Sequence, residues 1–378
     1  MTDYAELALL PEGLHDDLPP FAGHEARSIE HLVVQFESHG YERVKPPLME
    51  FEESLLAGPG AGVARHTFRL MDPISQRMMG LRADMTTQVA RIAATRLADA
   101  PRPLRLCYAG QVLRVRGSQL RPERQYAQAG VELIGAEGVA GDAELVLLAA
   151  EALTNLGVQG LSVDLTVPTL VPLITQALGL DGAAAEEARQ ALDSRDGAAI
   201  EALAEEVRQP LAELMRAAGP AAAALEALAG FNLPQDARAL CDHLAALVAS
   251  LDGRNGCLTL TIDPGESRGF EYQTGVSFSL FADGVRGELG RGGRYSLASG
   301  ESAIGFTLYL DSLMRAIPEG AAPGRLYVPF GANSNKAGQL RTKGWITVQG
   351  LDPDADPEAE AKALACDHIL RGDTAVKF

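Results

Sequence analysis

Lysine is scarce in this 378-residue chain, confined to Lys45, Lys336, Lys343, Lys362 and Lys377. The long middle therefore has neither a P-loop lysine nor a Schiff-base lysine. No histidine lies between His66 and His243, so that stretch offers no imidazole base. His24 and His31 do not fit a zinc-protease helix motif and read as solvated positions on a helix. The four cysteines, Cys107, Cys241, Cys257 and Cys366, are scattered without a CxxC pair. That excludes a zinc ribbon or a disulfide framework and points to buried thiols in a reducing cytoplasm. No window resembles a signal peptide, and no apolar run is long enough to span a bilayer. Net positive charge is absent too. The formal charge is −17, whereas a nucleic-acid binder carries a basic face.

What is present is a hydrophobic content of 47%, enough for two or three domains, each with its own core. The N-terminal turn formers lead into a helical pattern with Ile29, Leu32, Val33 and Phe36 on one face, ended by Gly40. Residues 41–50 read as an extended segment. Its two prolines place it at a sheet edge or bend it out of the sheet. Residues 57–62 are glycine-rich but lack a following Lys-Ser/Thr, so a surface loop is expected rather than a phosphate cradle. A hairpin is expected over 67–81 with its turn at Asp72-Pro73. A helix follows over 86–97, then strands over 104–115 and 125–134 joined by a polar, arginine-bearing loop. A long helix over 142–156 and a strand over 161–167 complete this part.

From about residue 171 to 250, alanine and leucine recur at helical spacing with acids between them. That pattern predicts an all-helical insertion whose apolar stripes pack within the chain. Strands return at 257–262, 273–282 and 284–289, followed by a glycine-rich turn at 290–295 and a strand-then-helix over 303–317. After a linker at 318–323, strands at 326–329 and 345–348 alternate with helices near 336–343 and 357–364. The expected class is α+β: an antiparallel sheet flanked by helices, with a helical insertion and a small C-terminal α/β segment. The expected division is residues 1–168 and 257–318 for the core, 169–256 for the insertion and 323–378 for the tail. A doubly wound parallel sheet is not indicated for the main body.

Four segments concentrate polar residues at strand ends. They are Leu-Arg-Ala-Asp-Met-Thr at 81–86, the hairpin over 104–135, Ser-Arg-Gly-Phe-Glu-Tyr-Gln-Thr-Gly at 267–275, and the glycine-rich run at 290–295 with Gly-Phe-Thr-Leu at 305–308. In this order they resemble the catalytic domain of class II aminoacyl-tRNA synthetases of the histidyl type, over about residues 8–317. The arginine hairpin and Arg-Gly-Phe-Glu-Tyr are the specific motifs. The resemblance implies an amino-acid pocket. A free amino acid needs acceptors for its amine and an arginine or amide donor for its carboxylate. Asp84 and Thr86 match the family's amine-binding Glu and Thr, and Arg114 matches the arginine of the second class motif. Gln128 and Glu132 match positions on the next strand, where alternation points both to one face; the Glu suits an imidazole N–H. Arg268 and Tyr272 match the histidine-specific motif.

Three departures matter. Arg116 stands where the synthetases carry an ATP-contacting Glu. Ser312 stands where they carry a phosphate-clamping Arg. Gln273 replaces the second tyrosine of the histidine motif. Loss of fixed positive charge argues against amino-acid activation. The tail of about 55 residues is too short for an anticodon-reading domain of roughly a hundred. It resembles instead the C-terminal segment of another branch, the ATP phosphoribosyltransferase regulatory subunits. That resemblance covers nearly the whole chain. It implies a non-catalytic, cytoplasmic subunit that partners a short-form ATP phosphoribosyltransferase catalytic subunit. It also implies binding of free L-histidine and self-association as a dimer. No cofactor, metal, membrane or nucleic acid is implied. The alternative is a truncated, divergent histidyl-tRNA synthetase.

Overall fold

A computed structural model describes residues 8–253, 258–267, 272–318 and 324–378. Contacts divide the chain into two compact units, residues 1–318 and 319–378.

The larger unit is built on a nine-stranded sheet. In chain order its strands are β1 (Glu42–Arg43), β5 (Leu104–Leu113), β6 (Gln125–Ile134), β7 (Leu161–Thr166), β8 (Gly219–Pro220), β9 (Thr259–Ile262), β10 (Gln273–Ala282), β11 (Gly290–Ser296) and β12 (Ser302–Tyr309). Three short strands, β2 (Met49–Phe51), β3 (Arg69–Met71) and β4 (Met78–Leu81), form a separate antiparallel sheet in the order β2-β4-β3. The main sheet runs β1-β5-β6-β12-β11-β10-β7-β9-β8. Only β1/β5 and β7/β9 are parallel; the other pairs are antiparallel.

Alternation along the central strands builds two cores. On β12, Ile304, Phe306 and Leu308 join the side packed by helices Phe21–Ser38 and Val139–Asn155. Leu32, Val33 and Phe36 of the first helix are fully buried there, each contributing about 1.5–3 kcal/mol. The opposite parity, including Leu106, Tyr108, Tyr295 and Tyr309, joins a smaller cluster under helix Thr86–Thr95, which supplies Val89 and Ala93. Between these residues on the second face lies the candidate site.

The prolines at 46–47 act as expected. The chain pairs briefly at the sheet edge as β1, then leaves to form β2 of the small sheet. The helical stretch is present from Leu170 to Leu251, but its buried leucines and alanines share one core with the sheet. It also donates β8 to the sheet's other edge, which its composition did not indicate.

Three local expectations are corrected. Residues 57–62 are not a loop, because 3-10 helix spans Gly58–His66. Residues 284–289 are not a strand; Gly284 and Gly287 adopt left-handed φ values of 73° and 87° and break the ladder. Conversely, the glycine run at 290–295 is not a turn but β11 itself. Its glycines answer crowding, since a Cβ on Gly292 would lie 2.4 Å from Phe278 Cζ. Glycine there permits close strand approach rather than chain reversal.

The smaller unit has a four-stranded sheet of β13 (Arg325–Val328), β14 (Ile346–Gln349), β15 (His368–Arg371) and β16 (Thr374–Lys377), in the order β14-β13-β15-β16. Helices Ser334–Arg341 and Pro357–Ala363 are capped by Asn333 and Asp356, whose side chains accept from backbone N–H groups of the first turn. β16, antiparallel to β15, adds a strand beyond the expected ones. The linker at 319–323 and Cys257 lie outside the described residues.

Candidate functional site

The segment after β4 delivers the first site residues. Arg82 anchors it: its buried guanidinium donates to Gln111 O at 2.8 Å and Pro46 O at 3.1 Å. Burial lowers its pKa from the usual arginine value. With the segment fixed, Asp84 projects at the mouth of helix Thr86–Thr95. Its Oδ1 accepts from Thr86 N at 2.9 Å, and its Oδ2 accepts from Gln128 Nε2 at 3.0 Å. Gln128 is fully buried, and its Oε1 accepts from Met85 N at 3.2 Å. Gln128 therefore stands behind Asp84 and orients it; it is not a wall of the pocket.

Glu132, two residue pairs along β6, is 1% exposed. Tyr295 OH donates to it at 2.9 Å and Tyr108 OH at 3.4 Å. Tyr108 OH also shares a hydrogen bond with Thr307 Oγ1 at 2.7 Å and with Thr86 Oγ1 at 3.3 Å. Burial dominates the carboxyl's titration and pushes it up to about 8. Gly305 faces it on β12; a Cβ there would sit 1.9 Å from Glu132 Oε2, so any side chain would displace the acid.

Asp84, Thr86, Arg114, Glu132, Tyr272 and Gln273 line one open cavity. These are six of the eight residues expected from the sequence. Gln128 is the buried support just described, and Arg268 lies outside the described residues. Arg114 leaves the end of β5 with its guanidinium 5.3 Å from the Tyr126 ring centroid. Its Nε is buried with no hydrogen-bond partner. Gln273 accepts at Oε1 from Ser277 Oγ and donates to Gly292 O at 3.4 Å, so its amide is locked across β10 and β11. Tyr272 meets Tyr295 edge to face at 6.1 Å.

Other wall residues escaped the sequence reading. Tyr295 and Arg291 come from β11, whose glycines had masked it as a turn. Arg291 pairs with Glu288 at 2.8 Å. Tyr108, buried behind the wall, could have been found: it lies two residues from Leu106 on β5 and so shares its face, toward Glu132. Arg116 and Ser312, by contrast, are not walls. Arg116 is exposed in a surface depression with Glu12 and Arg124. Ser312 is fully buried and accepts from Arg315 Nη2 at 3.2 Å.

The cavity lining thus combines two carboxyl groups, Asp84 and Glu132, with two arginines, Arg114 and Arg291. That arrangement fits a zwitterion bearing a second, basic group. A family model described as histidyl-tRNA synthetase matches residues 13–313. A relative from Rhodospirillum centenum, named ATP phosphoribosyltransferase regulatory subunit, is 57% identical over 97% of this chain and 95% of its own. A second of that name, from Paramagnetospirillum magneticum, is 54% identical over 100% of both chains. The chain belongs to the ATP phosphoribosyltransferase regulatory subunits, a histidyl-tRNA synthetase-like family. A solved structure from Bacillus halodurans, described as an ATP phosphoribosyltransferase regulatory subunit/histidyl-tRNA synthetase, has a TM-score of 0.81. It covers 94% of this chain and 96% of that one at 23% identity, and so speaks to the fold alone. The α+β, class II synthetase-like architecture expected from the motifs is the one found. Family membership over the full length favours a non-catalytic regulatory subunit over a truncated synthetase. Among the described residues no helix is long and apolar enough to cross a membrane, and no group of metal-ligating side chains occurs.

Proposed function

We propose that this chain senses free L-histidine for a short-form ATP phosphoribosyltransferase catalytic subunit in the cytoplasm. In that role it supports the first step of histidine biosynthesis and transmits feedback inhibition. The observation that carries the reading is Glu132: a buried carboxyl facing only hydroxyl donors, at the floor of a cavity that also holds Asp84 and Arg114. An imidazolium is the natural occupant of such a place, because it brings the positive charge and N–H donor that the carboxylate lacks.

In this scheme Asp84 and Thr86 take the amine, Arg114 takes the carboxylate, and Glu132 takes an imidazole N–H. Gln128 holds Asp84 in position. Arg268, Tyr272 and Gln273 complete the imidazole end. Self-association as a dimer belongs to the same proposal, as does the absence of a nucleic-acid partner and of a bound cofactor. Feedback requires histidine to bind two states of the complex differently; tight binding alone shifts nothing.

Calorimetry on Glu132→Ala tests the pocket. Histidine binding should weaken by about 1–3 kcal/mol, the worth of a lost charged hydrogen bond. Unchanged affinity in a folded variant would show that histidine binds elsewhere. Histidine-stimulated ATP–pyrophosphate exchange would overturn the non-catalytic reading. Co-purification with a catalytic subunit that lacks its own regulatory domain tests the partner.

A further inference from the structure

One arginine of the otherwise exposed loop between β5 and β6 folds inward. Residues 116–120 are exposed, whereas Arg121 is only 8% exposed. A tight turn sends it back, with Ser118 N donating to Arg121 O at 2.7 Å and Arg121 N donating to Ser118 Oγ at 3.1 Å. The guanidinium carbon then lies 3.8 Å from the Tyr309 ring centroid and 4.4 Å from that of Tyr126. Those rings meet edge to face at 6.3 Å. Arg121 Nε and Nη2 donate to the two carboxylate oxygens of Asp311 at 3.0 and 3.2 Å. The bidentate pair and the two ring contacts together fix the planar cation in place.

The position of this plug matters more than its strength. Tyr309 and Arg114 line the candidate pocket. Tyr126 and Asp311 line a second depression, beside Glu25 and Gln111. Arg121 touches Tyr309, Tyr126 and Asp311, and so stands between the two spaces. Arg114, the carboxylate partner in the proposal above, approaches the same Tyr126 ring.

We infer that Arg121 is the specificity-determining wall at the carboxylate end: it admits a free amino acid and excludes any ligand extended through its carboxyl group, such as a peptide, ester or amide. This rests on the histidine reading of the site. A sensor of a free amino-acid pool gains from that wall, because peptides carrying the same side chain do not register.

Two arms test it on the full chain, and the first is independent of histidine. Arg121→Ala vacates a slot between two rings and a carboxylate. The variant should bind methylguanidinium saturably at millimolar concentration, seen as a Tm rise that the wild type does not show. Failure of methylguanidinium to stabilise the variant overturns the plug. In the second arm, calorimetry compares histidine with the dipeptide histidyl-glycine. The wild type should prefer histidine by about a hundredfold or more, and the variant by about tenfold or less. Equal affinities in the wild type, or an unchanged preference in the variant, overturn the inference. A wild type that binds neither compound refutes the histidine reading instead, and the methylguanidinium result then still reports on the slot. If Arg121→Ala does not fold, the double variant Arg121→Ala, Asp311→Asn removes both charges and carries the comparison of histidine with histidyl-glycine.

Discussion

Glu132 and Asp142 are both buried acids at 1% exposure, and they lie on opposite sides of β11. Their contacts come from adjacent residues of that strand. Tyr295 reaches Glu132, and Arg294 reaches Asp142 with Nε at 3.0 Å. Asp142 also holds His243 at 2.5 Å, from helix Gln235–Leu251. Its charge is answered within the chain, and the triad ties the helical stretch to the sheet. Among the described residues Glu132 has no ion pair; its partners are tyrosine hydroxyls. One carboxylate is a structural fastening, and the other is the group to which the proposal above assigns the imidazole. The difference separates an acid whose charge is answered within the chain from one that meets only hydroxyls, without reference to sequence motifs.

The largest expected contrast is in stability. Asp142→Ala leaves Arg294 buried without its counter-ion and should cost about 3–5 kcal/mol in denaturant unfolding. Glu132→Gln should cost no stability at neutral pH, because a neutral acceptor still meets the tyrosine hydroxyls and no charge has to be buried. Equal losses at the two sites would break the distinction.

Next comes the pH dependence of stability in the ligand-free protein. Glu132 titrates at about 8 when folded, above its ordinary value of 4.5. The folded state therefore binds the extra proton. Its contribution is complete below 4.5 and is lost as pH rises through 8. Between those limits the wild type should lose about 1.4 kcal/mol per pH unit relative to Glu132→Gln. Parallel curves for the two proteins would place the acid in water.

Histidine affinity sharpens the comparison further. The bound pair shares one proton between imidazole and Glu132. Below about 6.5 both free partners are protonated and binding must release a proton. Above the Glu132 value of about 8 both are deprotonated, and binding must take one up. Affinity should peak between these values and fall about tenfold per pH unit outside them, as read by calorimetry. A flat profile would remove Glu132 from the ligand. The smallest effect is expected from Gln128→Leu, which leaves Asp84 in place but loosely held, at about 0.5–1.5 kcal/mol of histidine affinity.

Much of this was legible along the chain. Strand periods gave β5, β6 and β10 to within a residue or two, and the helical period gave Val139–Asn155 to within three, because each element turns a fixed face to a core. The site residues Asp84, Thr86, Arg114 and Glu132 were legible through motif order. Tyr295 and Arg291 were not, since local glycine content signals a turn wherever crowding by Phe278 and Phe306 is invisible. β8 was not legible either, as a two-residue Gly-Pro strand has no period of its own.

The sequence by itself determined the class of fold, the family and which polar residues converge, because apolar periodicity and ordered motifs are properties of neighbours in the chain. Only the tertiary structure decided what each polar residue does on arrival. Gln128 became a support, Arg121 a wall, Asp142 a fastening and Glu132 an open acceptor. The charge state and purpose of a buried group depend on which partners surround it, and here those partners come from strands and helices distant in sequence.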